Sequence, residues 1–212
     1  MRSIKLVMVI LGAMLSSHLI AQKFSAGKII TNAGDTVNCM IKTGKWDLNP
    51  NKVVTQINDD TKRYWPTEIA AFQVDNRTYV SARVRLDVSN HIDGTLDLSD
   101  SRPKFENDSI FAELIVLGKK NLYRYKSPSY KEHFLIGEQG GQLESLVFKR
   151  FLVWAETAGG QTYKRVVFNE EYKNQLEKNF ADCPGFKDKI ALTGYEMGQL
   201  ASLFRLYYSC SN

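Results

Sequence analysis

The feature that most constrains this fold is a succession of short β-prone runs, each followed within a few residues by a turn signal. Lys28–Thr31 and Thr36–Lys42 flank the segment Asn-Ala-Gly-Asp, whose residue types tolerate the positive φ angles of a hairpin turn. Thr78–Val88 mostly alternates in polarity, which is the period-two signal of a strand with one buried face. Similar runs lie at Val53–Ile57, Arg63–Trp65, Ile69–Val74, Phe111–Leu117, Asn121–Tyr125, Lys131–Ile136, Leu143–Phe148, Phe151–Glu156 and Thr162–Phe168. This spacing predicts an antiparallel sheet, folded as a sandwich or an open barrel, and disfavours a doubly wound parallel sheet.

One long segment, residues 89–110, interrupts the strand pattern. It holds few strong strand formers and several carboxylates, so we expect a long polar loop. A loop of this kind could bind a ligand or calcium, but Asp93, Asp97 and Asp100 do not have the Asp-x-Asp-x-Asp-Gly spacing of an EF-hand. We favour a solvated, flexible insertion.

The hydrophobic period changes after residue 168. Asn169 is placed to cap a helix, and Tyr172, Leu176 and Phe180 recur on one face of that helix. This change of period predicts helices over the last part of the chain.

A third helix is predicted near the C-terminus, after a short second one. Thr193 and Glu196 have the spacing of a capping box ahead of it. Its apolar and aromatic stripe is typical of a buried face rather than of a cofactor site. We therefore expect one α+β domain, with an antiparallel β-rich body over residues 22–168 and a C-terminal helical cap over residues 169–212.

The first 21 residues have the order of a secretory signal peptide. Arg2 and Lys5 precede an apolar stretch from Leu6 to Leu15, and Ala21 is a small residue at the expected cleavage site. The stretch is shorter than the about 20 apolar residues that cross a bilayer comfortably. We therefore expect cleavage, a periplasmic or secreted location, and no stable membrane insertion afterwards, with an uncleaved anchor as the alternative.

Charge argues against a nucleic-acid partner. The 212 residues contain 28 basic and 23 acidic side chains, a net charge of +5. Because Arg2 and Lys5 leave with the signal peptide, the remaining 191 residues carry only +3. No basic stripe stands out in them, whereas nucleic-acid binding would require one.

Export would place the three cysteines in an oxidising compartment. Cys183 and Cys210 bracket the second and third predicted helices, and we predict a disulfide between them. Closing that loop stabilises a fold by roughly 3.5 kcal/mol on the chain-entropy model. Cys39 lies in a predicted strand, where a buried apolar thiol is a commoner role than a reactive one.

Familiar catalytic and metal-binding motifs are missing from the sequence. After residue 21 the chain has two histidines, His91 and His133, and no C-x-x-C pair, P-loop, G-x-S-x-G or H-E-x-x-H sequence. We therefore expect no metal and no cofactor. A site built from Cys39 and His133, or from a serine, His91 and an aspartate, stays open, because such sites assemble in space rather than in sequence.

Three tryptophans are candidates for stacking against a sugar ring. Trp46, Trp65 and Trp154 offer the large flat surface that such contacts use. Core packing is the favoured alternative for all three. A pair of carboxylates could also cleave a glycosidic bond, but no spacing selects a pair among the 23 acidic residues.

The C-terminal part of the chain has a distinctive pattern. Tyr172–Leu176, Phe180–Pro184 and Cys210 resemble the tail of a family of exported Bacteroidota proteins that have no established activity. Gly34–Thr36 and Leu122–Tyr125 resemble hairpins of the same family. The resemblance implies an envelope or secreted location and a structural disulfide in the tail, and it implies no activity.

Three functions follow as hypotheses. The favoured one is a non-enzymatic exported envelope protein that binds a ligand or a protein partner on its sheet or in a barrel mouth, with envelope proteins or glycans as partners. The second is a carbohydrate- or envelope-active hydrolase that uses carboxylates. The third is an assembly component that pairs with another protein through a strand edge.

Overall fold

A computed structural model describes residues 24–44 and 46–210. The signal peptide expected at residues 1–21 lies outside the described residues. The described part contains twelve strands and three helices: β1 (Phe24–Thr31), β2 (Thr36–Lys42), β3 (Val53–Ile57), β4 (Asp60–Tyr64), β5 (Ile69–Val74), β6 (Arg77–Asp87), β7 (Phe105–Val116), β8 (Asn121–Lys126), β9 (Glu132–Gly137), β10 (Glu144–Ser145), β11 (Lys149–Glu156), β12 (Thr162–Asn169), α1 (Glu171–Asn179), α2 (Lys187–Leu192) and α3 (Met197–Cys210).

Ten of the strands form one antiparallel sheet. Their order is β10-β9-β8-β7-β6-β5-β1-β2-β3-β4, and β11 and β12 pair separately as a hairpin. The large sheet is open, because β10 and β4 are edges that do not pair with each other, although its curl brings β10 close to β6. The predicted class, an antiparallel β-rich body with a C-terminal helical cap, is confirmed.

The two faces of the sheet bury different side chains, because successive residues of a strand point to opposite faces. On one face of β8, Leu122 belongs to a hydrophobic cluster that includes buried residues of all three helices. On the opposite face, Tyr123 belongs to an inner cluster formed by Val84, Leu86, Ile110, Ala112, Tyr123, Tyr125 and Leu135. This inner cluster lies within the curl of β6 to β9 and borders the candidate site described below.

The helical cap packs as its hydrophobic period predicts. Tyr172 and Leu176 are fully buried on one face of α1, and Asn169 Oδ1 accepts a hydrogen bond from the N–H of Glu171 at 3.1 Å. The predicted disulfide is present: Cys183 and Cys210 are bonded, with their Cα atoms 5.9 Å apart. None of the helices among the described residues is long and apolar enough to cross a bilayer.

The predicted capping box is wrong. The Thr193 hydroxyl donates to the carbonyl of Lys189 at 2.8 Å, because Thr193 ends α2 and its side chain satisfies a carbonyl of that helix. The N–H of Gly194 donates instead to Gln199 Oε1 at 2.6 Å. Helix α3 begins at Met197. The backbone ahead of it is bound by the side chain of Gln199 and not, as predicted, by that of Glu196.

The predicted extent of the polar loop is also wrong. Strand β7 begins at Phe105, and its first five residues pair with β6 between Arg83 and Asp87. The polar side chains of this stretch are exposed, so their low strand propensity is overridden by backbone pairing with a long neighbouring strand. The connection between β6 and β7 is therefore residues 88–104, called the 88–104 segment below.

Candidate functional site

The sheet separates between β7 and β8, and Asn49 fills the gap. Asn49 Nδ2 donates to the carbonyls of Phe111 and Arg124 at 2.9 and 3.1 Å, and its Oδ1 accepts from the N–H of Lys126 at 2.9 Å. These bonds replace strand pairing, because β7 and β8 pair only from Glu113 onward. Towards its N-terminal end, β7 pairs with β6 alone, which leaves room beside the turn between β8 and β9.

A cavity of about 510 Å³ occupies that room. It borders the inner cluster at Leu86 and Tyr125, and it is otherwise lined by the start of the 88–104 segment, the start of β7 and the β8–β9 turn. This volume lies in the range of pockets that hold small organic ligands. We call this cavity the polar pocket, because most of the residues that line it have polar side chains.

A buried ion pair lies at the base of the polar pocket. Lys131 Nζ donates to Asp87 Oδ2 at 2.7 Å and to the carbonyl of Ser89 at 2.9 Å. Asp87 Oδ1 accepts from the N–H and the hydroxyl of Ser89, at 2.9 and 2.5 Å, and from the N–H of Lys104 at 3.1 Å. Burial raises the pKa of Asp87, but the hydrogen bonds from Lys131 and Ser89 outweigh it and hold that pKa below its ordinary value. The pair joins the 88–104 segment to the β8–β9 turn.

A second buried lysine holds the other end of the segment. Lys149 is almost fully buried, and its Nζ lies 2.8 Å from Asp97 Oδ2 and donates to the carbonyl of Arg102 at 2.7 Å. The backbone of Leu152 exchanges hydrogen bonds with Asp97 and Ser99. The 88–104 segment is thus packed against the body at both ends, which corrects the expectation of a solvated insertion.

The carboxylates of the segment do not converge on a cation site. Asp93 pairs with Arg150 at 2.6 Å, while Asp100 pairs with Arg102 at 3.2 Å. Asp97 is held by its two lysines. Among the described residues, no group of three or more His, Cys, Asp or Glu side chains is arranged to hold a metal ion.

Both histidines of the described chain line the polar pocket. His133 lies opposite Tyr125 in the β8–β9 ladder, with the two rings stacked at 6.0 Å and the imidazole only 4% exposed. No hydrogen-bond partner of its ring nitrogens exists among the described residues. Burial, followed by the charge of Lys131, lowers the pKa of His133 to about 4, so the ring is neutral at pH 7 and presents one donor and one acceptor.

His91 is less buried than His133, and its pKa is also lowered. Burial and the charge of Lys131 lower the pKa of His91, while a hydrogen bond to the backbone of Ser129 opposes that shift. Two neutral imidazoles therefore face one cavity at neutral pH.

Within residues 24–44 and 46–210, neither of the two catalytic constellations left open by the sequence is assembled. The Ser89 hydroxyl donates to Asp87 rather than to an imidazole, and Asp87 is bound to Lys131. Cys39 lies on β2, which five strands of the sheet separate from β9 and His133. Cys39 packs beside a hydrophobic cluster, and burial raises the pKa of its thiol.

The tryptophans lie away from the polar pocket and apart from one another. Trp46 packs edge-on against Phe72 and Tyr79, with ring centroids 5.8 and 5.5 Å apart, so it is a core residue. Trp65 follows β4 and is 47% exposed, with the ammonium group of Lys52 over its ring. Trp154 lies on β11 and is 56% exposed. None of the three lines the polar pocket.

Sequence reasoning named the two histidines but missed the Asp87–Lys131 ion pair in the same lining. One signal was present in the sequence. Lys131, His133 and Leu135 are alternate residues and so lie on the same face of the strand. Because Leu135 is buried in the inner cluster, the other two lie on the side of that cluster. The partner Asp87 lies 44 positions away from Lys131, and no local pattern connects them.

The fold and the pocket define a class: an open antiparallel sheet with a helical cap, carrying a polar cavity at one end of its inner cluster. Comparison of the chain with protein-family models, curated proteins and solved structures found no match.

Proposed function

We propose that the protein is exported, loses residues 1–21, and acts without catalysis as a binding protein for a small hydroxylated ligand of the saccharide class. The ligand would occupy the polar pocket. One observation carries this proposal: His133 is a largely buried residue that lines the polar pocket, and its ring nitrogens make no hydrogen bond within the described residues. The donor and the acceptor of this ring are therefore free to bind a polar molecule in the pocket.

The remaining lining suits hydroxyl groups, which donate and accept hydrogen bonds at the same atom. The hydroxyls of Ser127 and Ser129 lie 2.9 Å apart at the β8–β9 turn. Lys131 Nζ uses two of its three N–H donors on Asp87 and Ser89. The lining thus offers both donors and acceptors, and this favours a polyhydroxylated ligand over an apolar one.

The buried Asp87–Ser89 pair of the lining is not available as a base or nucleophile. A general base or nucleophile must be available to the substrate, yet the Asp87 carboxylate and the Ser89 hydroxyl are bound to each other, and the same carboxylate is held by Lys131. This arrangement is typical of a structural ion pair. The hydrolase hypothesis is kept as an outcome of the test below.

Several independent features support export. The N-terminal order of charges and apolar residues favours a signal peptide. The Cys183–Cys210 disulfide is of the kind that persists in oxidising compartments, and the resemblance to exported Bacteroidota proteins points the same way. Mass spectrometry of the protein from its host cells, with a mature N-terminus at Gln22 as the expected result, tests this part.

Binding is tested on the mature protein with a saccharide panel, by thermal-shift and NMR titration. The expected result is saturable binding that is lost in His133→Phe and partly kept in His133→Gln, whose amide also offers a donor and an acceptor. Trp154→Phe, which alters an exposed ring outside the pocket, is the matched control and should bind normally. Equal binding by His133→Phe would contradict the pocket assignment, and a cleaved saccharide in the mass spectrum would favour the hydrolase.

A further inference from the structure

We propose that the ligand of the polar pocket carries a positively charged amine, so that amino sugars bind in preference to neutral or acidic sugars. This inference rests on the proposed function of the same pocket and adds the charge of the ligand. The amine would be held by two carboxylates, Glu106 and Asp108, at the start of β7.

Both carboxylates stand on the pocket side of the sheet. Glu106 is directly opposite Leu86, and Asp108 is directly opposite Val84. Residues paired in this way share a face, and both apolar partners belong to the inner cluster. Since a strand advances about 3.4 Å per residue, the two acidic positions lie roughly 7 Å apart on that face.

These two carboxylates differ from the others around the segment because no cation pairs with them. Among the described residues, Glu106 has no ion pair, and Asp108 only accepts a hydrogen bond from the N–H of Ser109 at 2.7 Å. By contrast, Asp93, Asp97 and Asp100 each have a lysine or arginine partner.

No positive charge of the lining compensates the two acids. Lys131 is neutralised by Asp87 at 2.7 Å, and both histidines are neutral at pH 7. The lining thus carries a formal charge of −2. The charge of Asp108 acts inside the cavity, because together with burial it raises the pKa of Tyr125, a residue of the lining.

A second feature points independently to a ligand. The unpaired imidazole of His133 faces the same cavity and can accept a hydrogen bond from a hydroxyl or an amine. A hydroxylated molecule with one ammonium group would satisfy the imidazole and the two carboxylates together. An anionic sugar would leave them unsatisfied and would be repelled.

Three sugars of similar shape test the charge: D-glucosamine, D-glucose and D-glucuronate, titrated into the mature protein at pH 7 and low ionic strength, with the His133 ring signals as the readout. We expect glucosamine to bind most tightly and glucuronate most weakly. The gain should be on the order of fivefold for each carboxylate near the amine, and it should shrink in 0.5 M salt, where the Debye length falls to about 4 Å.

The variant Glu106→Gln/Asp108→Asn should lose the preference for glucosamine and still bind glucose. Asp60→Asn, which removes an exposed carboxylate from the edge strand β4, is the matched control and should keep the preference. Equal affinity for glucosamine and glucose, or tightest binding of glucuronate, would overturn the amine inference and leave the proposed function standing. If none of the three sugars moves the His133 signals, the saccharide function itself fails, and the inference fails with it.

Discussion

Acidification should destabilise the fold through His133. The perturbation is a change of pH from 7 to 5, which protonates an imidazole of ordinary pKa 6.5 in the unfolded chain. In the folded protein the pKa of His133 is lowered to about 4, chiefly by burial. The unfolded state therefore binds the proton first, so stability is full above about pH 6.5, falls as the pH decreases, and stops falling below about pH 4.

The size of this effect follows from the same two values. A shift from 6.5 to about 4 amounts to about 3 kcal/mol over the whole range. Between pH 7 and pH 5, before most carboxylates titrate, about 2 kcal/mol of the free energy of unfolding should be lost. Urea denaturation at the two pH values, at constant ionic strength, measures this loss.

Two variants separate His133 from other groups. His133→Phe should remove most of the difference between pH 7 and pH 5, because the phenyl ring does not titrate. His91→Gln should remove less of it, because His91 is less buried and the Ser129 backbone opposes its pKa shift. The reasoning is refuted if the NMR titration of His133 gives a pKa near 6.5, or if His133→Phe keeps the pH dependence of the wild type.

Three further predictions concern the contacts that shape the pocket and the cap, and urea denaturation at pH 7 checks each of them. Lys131→Met leaves Asp87 buried without its cation and should cost about 3–5 kcal/mol; a loss below 1 kcal/mol would contradict a buried pair. Asn49→Ala removes three hydrogen bonds that join β7 to β8 and should cost about 2–3 kcal/mol, whereas an unchanged midpoint would show that the strands separate without it. Replacing Cys183 and Cys210 by serine should cost about 2–4 kcal/mol, and a reductant should then have no further effect.

The hairpins of the body could be predicted from sequence because their signals are local. Strands β2, β3 and β5 have the predicted bounds, since turn residues and period-two alternation act within a few positions. The buried face of α1 and the disulfide were predicted for similar reasons, from helical spacing and from the placement of two cysteines around the second and third helices.

The pocket could not be predicted, because distant parts of the chain build it. Asn49 separates β7 from β8 by contacts with Phe111 and Arg124, and no local pattern marks that asparagine. The polar start of β7, residues 105–109, forms a strand because it pairs with the end of the long strand β6. Sequence alone therefore indicated the β-rich body and its helical cap, while the site required the tertiary structure.

The central claim is that the buried imidazole of His133 recognises a ligand in the polar pocket. The most direct measurement is a long-range ¹H–¹⁵N NMR spectrum of the histidine rings of the mature protein at pH 7, recorded during titration with D-glucosamine. We expect a neutral His133 ring whose two nitrogen signals move saturably, while the indole signal of Trp154 stays in place. A His133 ring that is already protonated at pH 7, or that does not respond while the sugar binds elsewhere, would contradict it.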